Sequence, residues 1–274
     1  MYKELVFRPF RARDQIFYSE VARKIIAQAC DQMAINPAIF GRDEHGKILQ
    51  GSLDIREKNQ KTEKDAVQMY FAPSIIFDGG LGFIRLYAVG KIGIELLNSE
   101  GLKIISGLQN ALGAGKIEFY EGEMDIKEAD HPILYAVRNV MVSKKYSDAL
   151  NPKSRTTLTR SINHFRGVPA VERQEELKSE LLKGLISFCR LVEHDVSKDL
   201  EGVLPTDEDF DAQILQGDPL PIPVNEHLLA ASYKNMVIAM PYELTGPWAF
   251  GRMRSKGRGL LRPLRLNDSH FGGF

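Results

Sequence analysis

The chain has 274 residues, 43% of them hydrophobic and 26% charged, which is enough for one large domain or two small ones with a real core. No apolar run approaches the roughly 20 residues that a membrane span needs, so we expect no membrane association and no signal peptide. Two cysteines, Cys30 and Cys189, are too few for a disulfide framework and predict a cytoplasmic protein.

The first half of the chain predicts strands and helices in alternation. Residues 2–10 alternate apolar and polar side chains, as a half-buried strand does, and apolar residues at helical spacing predict a helix over about 15–33. Further strands are expected over 48–55, 69–77, 82–97, 116–126 and 132–142, with a turn at 78–80 and a helix over 98–112 whose N-cap is Ser99. This order predicts an α+β fold with helices on one side of an antiparallel sheet, as in ferredoxin-like and RNA-recognition modules.

The second half of the chain is expected to contain an insertion, followed by a segment that returns to the sheet. We assign residues 1–145 to a ferredoxin-like N-terminal region and 146–223 to a largely helical basic and acidic insertion, in which 171–194 carry an apolar helical stripe. Residues 224–274 are expected to return to the sheet through strands at 234–240 and 259–266.

The net charge of zero hides a strong segregation of charge. Acidic residues are concentrated over 193–218, and two runs, 144–166 and 250–266, are strongly basic. Local positive potential decides phosphate binding, so two basic runs favour a nucleic-acid ligand over ordinary solvated surfaces. The basic run over 144–166, which leads into the helix at 171–194, suits a helical finger against an RNA stem, or equally a charged hairpin packed on the sheet. Its candidate contacts are Lys144, Lys145, Lys153, Arg155, Arg160 and Arg166.

The most informative stretch is 246–265, where glycines alternate with basic residues. Glycine allows positive φ and a close backbone approach, consecutive N–H groups bind anions, and arginine binds phosphate with two parallel hydrogen bonds. A basic surface hairpin would show the same composition. The candidate RNA contacts here are Gly251, Arg252, Arg254, Lys256, Gly257, Arg258 and Gly259.

The form of the motif carries a resemblance. Phe250-Gly251-Arg252-x-x-x-x-Gly257-x-Gly259-Leu260-Leu261 resembles the C-terminal glycine-rich loop of CRISPR repeat-processing endoribonucleases of the RAMP superfamily. The helical insertion and the arginine-rich N-terminal half look most like the type IV version, which stays attached to its product.

This resemblance implies one or two RNA-recognition-like modules and, as substrate, the hairpin of a CRISPR repeat in the precursor of crRNA. It implies a metal-independent reaction in which a ribose 2′-hydroxyl attacks the neighbouring phosphate, with a base, an acid and cations around the phosphorane. Other subunits of a CRISPR effector complex are the expected protein partners. We expect no cofactor and no structural metal.

The candidate catalytic residues depart from the family pattern. Many relatives have a histidine in or just after the first helix, and residues 15–33 contain none. The candidates are His45 in a polar turn, Tyr18, and Arg23, which would neutralise the developing charge. Each residue also has an ordinary interpretation: His45 as an exposed turn histidine, Tyr18 as a core residue and Arg23 as a surface arginine. Arg8, Arg11 and Arg13 are expected to bind RNA.

Two other functions fit the same residues. A non-catalytic RNA-binding subunit of an RNA-guided effector complex would share the fold and the loop. A mobile-element or phage protein could use the Gly/Arg-rich C-terminal stretch to bind DNA or a partner, and a preference for duplex DNA over hairpin RNA in competition would favour this interpretation.

Overall fold

Two antiparallel sheets form the body of the protein. The computed structural model describes residues 1–30, 34–40, 73–145, 169–193, 201–205, 209–217, 220–225, 228–251, 254 and 257–264. The predicted strand at 48–55 and the greater part of that at 69–77 lie outside these residues.

The first sheet has the strand order β2-β3-β1-β4. Its elements are β1 (Tyr2–Pro9), α1 (Ser19–Cys30), β2 (Ile75–Gly80), β3 (Phe83–Val89), α2 (Gly90–Leu112) and β4 (Gly115–Gly122), with a 3-10 turn at Pro37–Phe40. Leu5 and Phe7 of β1 are fully buried against the helices, as the alternation of β1 predicts. The strand–helix–strand order, twice repeated, is ferredoxin-like. We call this sheet and its two helices the first module.

The second sheet has the order β6-β8-β5-β9, and β7 also pairs with β8. Its elements are β5 (Asp125–Lys145), α3 (Ala170–Glu193), a 3-10 turn at Glu201–Val203, β6 (Gln213–Gln216), β7 (Leu220–Asn225), β8 (Leu228–Thr245) and β9 (Leu261–Pro263). The apolar stripe of α3 is buried along its length, which confirms the helix predicted over 171–194. We call this sheet and α3 the second module.

The two modules share one core. Ile76, Tyr87 and Val89, on the helix-free face of the first sheet, lie in the same buried cluster as Trp248 and Phe250 of the second module.

The two antiparallel sheets with their helices confirm the predicted α+β class. The sheets divide between Gly122 and Asp125, whereas the predicted domain boundary at 145 lies at the end of β5.

The prediction for residues 82–99 was wrong in part. The strand ends at Val89, and α2 begins at Gly90 with φ 69°. Ser99 is inside α2, where its hydroxyl donates to the Leu96 carbonyl at 3.1 Å, and it caps nothing. The strand was predicted because this stretch contains glycines, and Gly93 is there for packing: a Cβ at this position would lie 2.4 Å from the Ser74 carbonyl oxygen. This glycine therefore lets α2 approach the sheet closely, and it makes the sequence look less helical.

The predicted turn at 78–80 was also wrong. These residues complete β2 and are fully buried, and the turn lies at Leu81 and Gly82. None of the described helices is long and apolar enough to cross a membrane.

Candidate functional site

The glycine-rich loop between Phe250 and Gly259 is closed by a short neck. The Phe250 N–H donates to the Gly259 carbonyl at 3.1 Å, and the Leu261 N–H donates to the Trp248 carbonyl at 2.8 Å. Gly259 has φ 70°, and a Cβ there would lie only 1.9 Å from the Phe250 carbonyl oxygen. The neck therefore requires glycine at position 259.

One side of the loop lies on α3. A Cβ at Gly184 of α3 would come within 2.4 Å of the Phe250 Cβ, so glycine is required where the loop contacts the helix. The Arg254 guanidinium donates to the Ser187 hydroxyl at 2.6 Å and lies 5.9 Å from the Phe188 ring centroid. Burial lowers the pKa of Arg254 to about 10. These contacts anchor the loop, and an RNA contact by Arg254 stays a prediction.

The other side of the loop lies on the first module. Gly257 has φ 72°, and a Cβ there would lie 2.1 Å from the Phe77 carbonyl oxygen and 2.7 Å from the Ser19 side chain. The loop backbone therefore touches the first residue of α1. Arg258 follows directly and is partly exposed. Residues near the two ends of the chain meet at this point.

A buried carboxylate links the strand after the loop to the first module. Asp78 of β2 is 1% exposed. It accepts a hydrogen bond from the Arg262 guanidinium at 2.5 Å and one from the Ser19 hydroxyl at 3.4 Å. Because Ser19 also faces Gly257, these contacts fix the loop, β2 and α1 relative to one another.

Arg23 lies one turn after Ser19 on α1. Its guanidinium is 5.5 Å from the Phe40 ring centroid and 5.8 Å from that of Phe77, and it donates to the Phe40 carbonyl at 3.2 Å. Two aromatic rings and a carbonyl therefore orient this cation. Tyr18 directly precedes α1 and is half exposed. The structure thus brings Tyr18 and Arg23 to the same corner of the molecule as the Gly257–Arg258 part of the loop.

The three arginines predicted to bind RNA lie on and just past β1. Arg8 donates to Glu118 at 2.8 Å and has its guanidinium 5.3 Å from the Phe83 ring centroid. The Arg13 guanidinium is 5.8 Å from the Phe10 ring centroid. Arg11 is exposed. Arg8 and Arg13 are held near aromatic rings, which suits contact with bases as well as phosphates.

Sequence reasoning missed a charged network on the helix-free face of the first sheet. The Arg85 guanidinium lies 3.0 Å from the Glu4 carboxylate and donates to the Tyr87 hydroxyl at 2.5 Å. Burial raises the pKa of Glu4 and raises the pKa of Tyr87 to about 12. It also missed Asp78, since Asp-Gly-Gly is typical of a turn. The alternation of β3 was the only signal that Arg85 and Tyr87 share a face.

Several predicted site residues lie outside the described residues: His45, Lys153, Arg155, Arg160, Arg166, Arg252 and Lys256. The backbones of Lys144 and Lys145 end β5, and their side chains also lie outside the description. Of the predicted loop glycines, Gly251, Gly257 and Gly259 all have positive φ.

The model of the family described as type IV CRISPR-associated endonuclease Csf5 matches residues 10–265. The chain is similar to a solved structure of "Csf5, CRISPR-Cas type IV Cas6 crRNA endonuclease", with 17% identity, a TM-score of 0.61, and coverage of 97% of this chain and 100% of that one. It is also similar to the crystal structure of Cas6b, with 12% identity, a TM-score of 0.50, and coverage of 96% and 100%. Both structural likenesses concern the fold. No curated protein matches the chain.

Proposed function

The chain belongs to the type IV CRISPR-associated endonuclease family Csf5, and from this we propose that it cuts the repeat hairpin of precursor crRNA without a metal ion and keeps the product bound. The observation that carries the proposal is the contact of Gly257 with Ser19 and Phe77. It sets a glycine-rich, arginine-bearing loop beside the helix that carries Arg23 and directly follows Tyr18.

The chemistry needs an attacking oxygen, proton transfer and charge stabilisation. The ribose 2′-oxygen bonds to the adjacent phosphorus and the bond from phosphorus to the 5′-oxygen breaks. The 2′-hydroxyl gives its proton to a base, and an acid gives a proton to the leaving 5′-oxygen. The products are a 2′,3′-cyclic phosphate and a 5′-hydroxyl.

In this proposal Arg23 and Arg258 stabilise the pentacoordinate phosphorane. Arg23 is already oriented by Phe40 and Phe77, and a cation whose position is fixed before the reaction costs no reorganisation during it. The Tyr18 hydroxyl acts as a proton donor, and His45 is the candidate general base. The half-exposed Arg8, with Arg11 and Arg13, holds the RNA backbone.

Retention of the product follows from where the binding contacts lie. The loop and the β1 arginines hold the phosphodiester backbone of the RNA, and most of these contacts are the same before and after one bond is cut. The protein then turns over once, and a slow arginine-based reaction is sufficient.

The test uses labelled repeat RNA and the purified protein in EDTA. We expect a single cut with a 2′,3′-cyclic phosphate end, no cut when the nucleotide before the cleaved bond is 2′-deoxy, and about one product per protein molecule. Cleavage that needs Mg²⁺, or that leaves a 3′-hydroxyl, would contradict the mechanism.

Arg23→Ala tests the catalytic role. We expect the single-turnover rate to fall by about a hundredfold, as for the loss of one charge-stabilising donor, with RNA affinity changed far less. Lys24→Ala is the matched control, because Lys24 is the neighbouring cation on the same helix and is exposed. Equal losses of rate and affinity in Arg23→Ala would assign it to binding alone.

A second function, RNA binding without chemistry, is favoured by one observation. Among the described residues the single histidine is His131 on β5, and α1 carries none. Tight hairpin binding with no cleavage under any ionic condition would support this alternative and reject the nuclease.

A further inference from the structure

The segment between β1 and α1 forms an extra edge beside the tip of the β2–β3 hairpin. The Phe17 N–H donates to the Gly80 carbonyl at 2.9 Å, and the Gly82 N–H donates to the Gln15 carbonyl at 2.8 Å. Ile16 and Leu81 form an antiparallel bridge between these two bonds. The segment is therefore held to the sheet by backbone hydrogen bonds.

Four large apolar side chains on the segment between β1 and α1 and on the hairpin tip face solvent. Their exposed fractions are 53% for Phe10, 38% for Ile16, 51% for Tyr18 and 55% for Leu81. Ile16 and Leu81 project to the same side because they are directly opposed in the bridge. Phe17, between Ile16 and Tyr18, is fully buried, so its two neighbours point outward. We call these four side chains the apolar ridge.

The ridge is tightly built. Gly82 has φ 69°, and a Cβ there would lie 2.5 Å from the Arg13 carbonyl oxygen. The tip of the β2–β3 hairpin therefore packs closely on the segment between β1 and α1, and position 82 requires glycine. Neighbouring exposed apolar side chains mark a binding site more often than single ones do, and the bridge makes Ile16 and Leu81 direct neighbours.

Arginines flank the ridge and indicate what it binds. Arg8, Arg11 and Arg13 are all exposed, and Asp14 is the one acidic residue between positions 8 and 18. The Arg13 guanidinium already lies over the Phe10 ring at 5.8 Å from its centroid. Aromatic and aliphatic faces beside cations fit unpaired nucleotides, whose bases stack while their phosphates pair with arginine. A paired stem would need the cations and make no use of the ridge.

We propose that the apolar ridge binds the unpaired nucleotides of the RNA that adjoin the repeat hairpin, and leads that strand to the bond that is cut. The inference rests on the proposed function. Tyr18 joins the two surfaces, because it belongs to the ridge and directly precedes Ser19, the residue that the glycine-rich loop contacts. Phe10, Ile16 and Leu81 thereby acquire a role in substrate selection that involves no chemistry.

The test compares two RNAs, the bare repeat hairpin and the same hairpin with roughly eight unpaired nucleotides added. We expect the wild-type protein to bind the longer RNA about tenfold more tightly, the effect of stacking one or two bases. The double variant Phe10→Ala, Leu81→Ser should lose this gain and bind the bare hairpin as before. Leu102→Ser is the matched control, since Leu102 on α2 is 78% exposed.

A second measurement does not depend on the variants folding. A photoreactive 4-thiouridine in the unpaired segment should crosslink to peptides that contain Phe10, Tyr18 or Leu81 in the wild-type protein. Crosslinks confined to other peptides, or an affinity gain that survives the double substitution, would overturn the inference. So would a double variant that keeps the gain and loses binding to another effector subunit, because the ridge would then be a protein-docking surface.

Failure of the wild type to bind the bare hairpin would instead reject the proposed function, while the crosslink to unpaired RNA would still decide the role of the ridge.

Discussion

At the scale of single residues, Glu118 holds two cations, Arg8 and Lys116, on the helix-free side of the first sheet. Register pairs Arg8 with Lys116 across β1 and β4, and Glu118 is two residues further on the same strand face. The Glu118 carboxylate accepts hydrogen bonds from Lys116 and Arg8, each at 2.8 Å. Both bonds lower the pKa of Glu118, to about 2, and the bond from Lys116 has the larger effect. Arg8 is thus held in place at neutral pH by a carboxylate that stays ionised.

Lys116→Met should raise the pKa of Glu118 towards its ordinary value of 4.5, and Arg8→Met should raise it less. The carboxyl pKa is lower in the folded than in the unfolded protein, so its contribution to stability is present above pH 4.5 and is lost as pH falls towards 2. NMR titration of the Glu118 carboxyl carbon measures the pKa directly. A wild-type midpoint at the ordinary value would show that the two hydrogen bonds do not persist in solution.

At the scale of elements, the loop from Phe250 to Gly259 joins three others. It is closed on itself by the Gly259 neck, anchored to α3 through Arg254, and pressed against α1 and β2 at Gly257. Two glycines with similar φ play different parts. Gly257 touches backbone of another element, whereas at Gly113, with φ 80°, a Cβ would meet nothing nearer than the Arg11 Cδ at 4.0 Å.

Gly257→Ala should displace the loop from α1 and slow RNA cleavage by about a hundredfold, the usual cost of a misplacement near 1 Å. Gly113→Ala is the matched control, since it carries the strain of positive φ, about 1–2 kcal/mol, without the clash. We expect it to lower the melting temperature and leave the cleavage rate of the folded protein unchanged. If both variants cut RNA at the same rate, the approach of the loop to α1 is irrelevant to activity.

At the scale of the whole molecule, the modules are joined by a shared core and by the ion pair of Asp78 with Arg262. Ile76 and Tyr87 pack in the cluster that contains Trp248, and Asp78 of β2 pairs with Arg262 of β9. The pair differs from surface pairs because Asp78 is almost fully buried. Removing Arg262 would leave the buried Asp78 carboxylate without its cation in a poorly solvated site.

Arg262→Met should lower the free energy of unfolding by on the order of 3 kcal/mol, because the Asp78 carboxylate stays buried without its cation. Adding Asp78→Asn should recover part of this loss, and a double-mutant cycle in urea measures the coupling. Lys127→Met is the control: its pair with Asp125 has a lysine side chain that is 68% exposed and should contribute less than about 1 kcal/mol. Additive effects at positions 78 and 262 would show that the pair does not couple the modules.

The sequence by itself determined the features that depend on neighbours in the chain. The alternation of residues 2–10 predicted β1, the apolar stripe over 171–194 predicted α3, and the glycine and arginine spacing near the C-terminus predicted a loop with positive φ. Residues that share a strand or a helix face within a few positions obey a local period, so their pattern is visible without the fold. The predicted resemblance to type IV repeat-processing endoribonucleases is confirmed at the level of the family.

Only the tertiary structure decided the features that depend on residues far apart in sequence. It placed Gly257 against Ser19, turned Arg254 onto α3, and made Asp78 the buried partner of Arg262 instead of a turn residue. It also started α2 at Gly90, where glycine and β-branched residues had favoured a strand. In each case a contact across the chain outweighs the local preference, because burying a charge or pressing two backbones together involves larger energies than intrinsic propensity does.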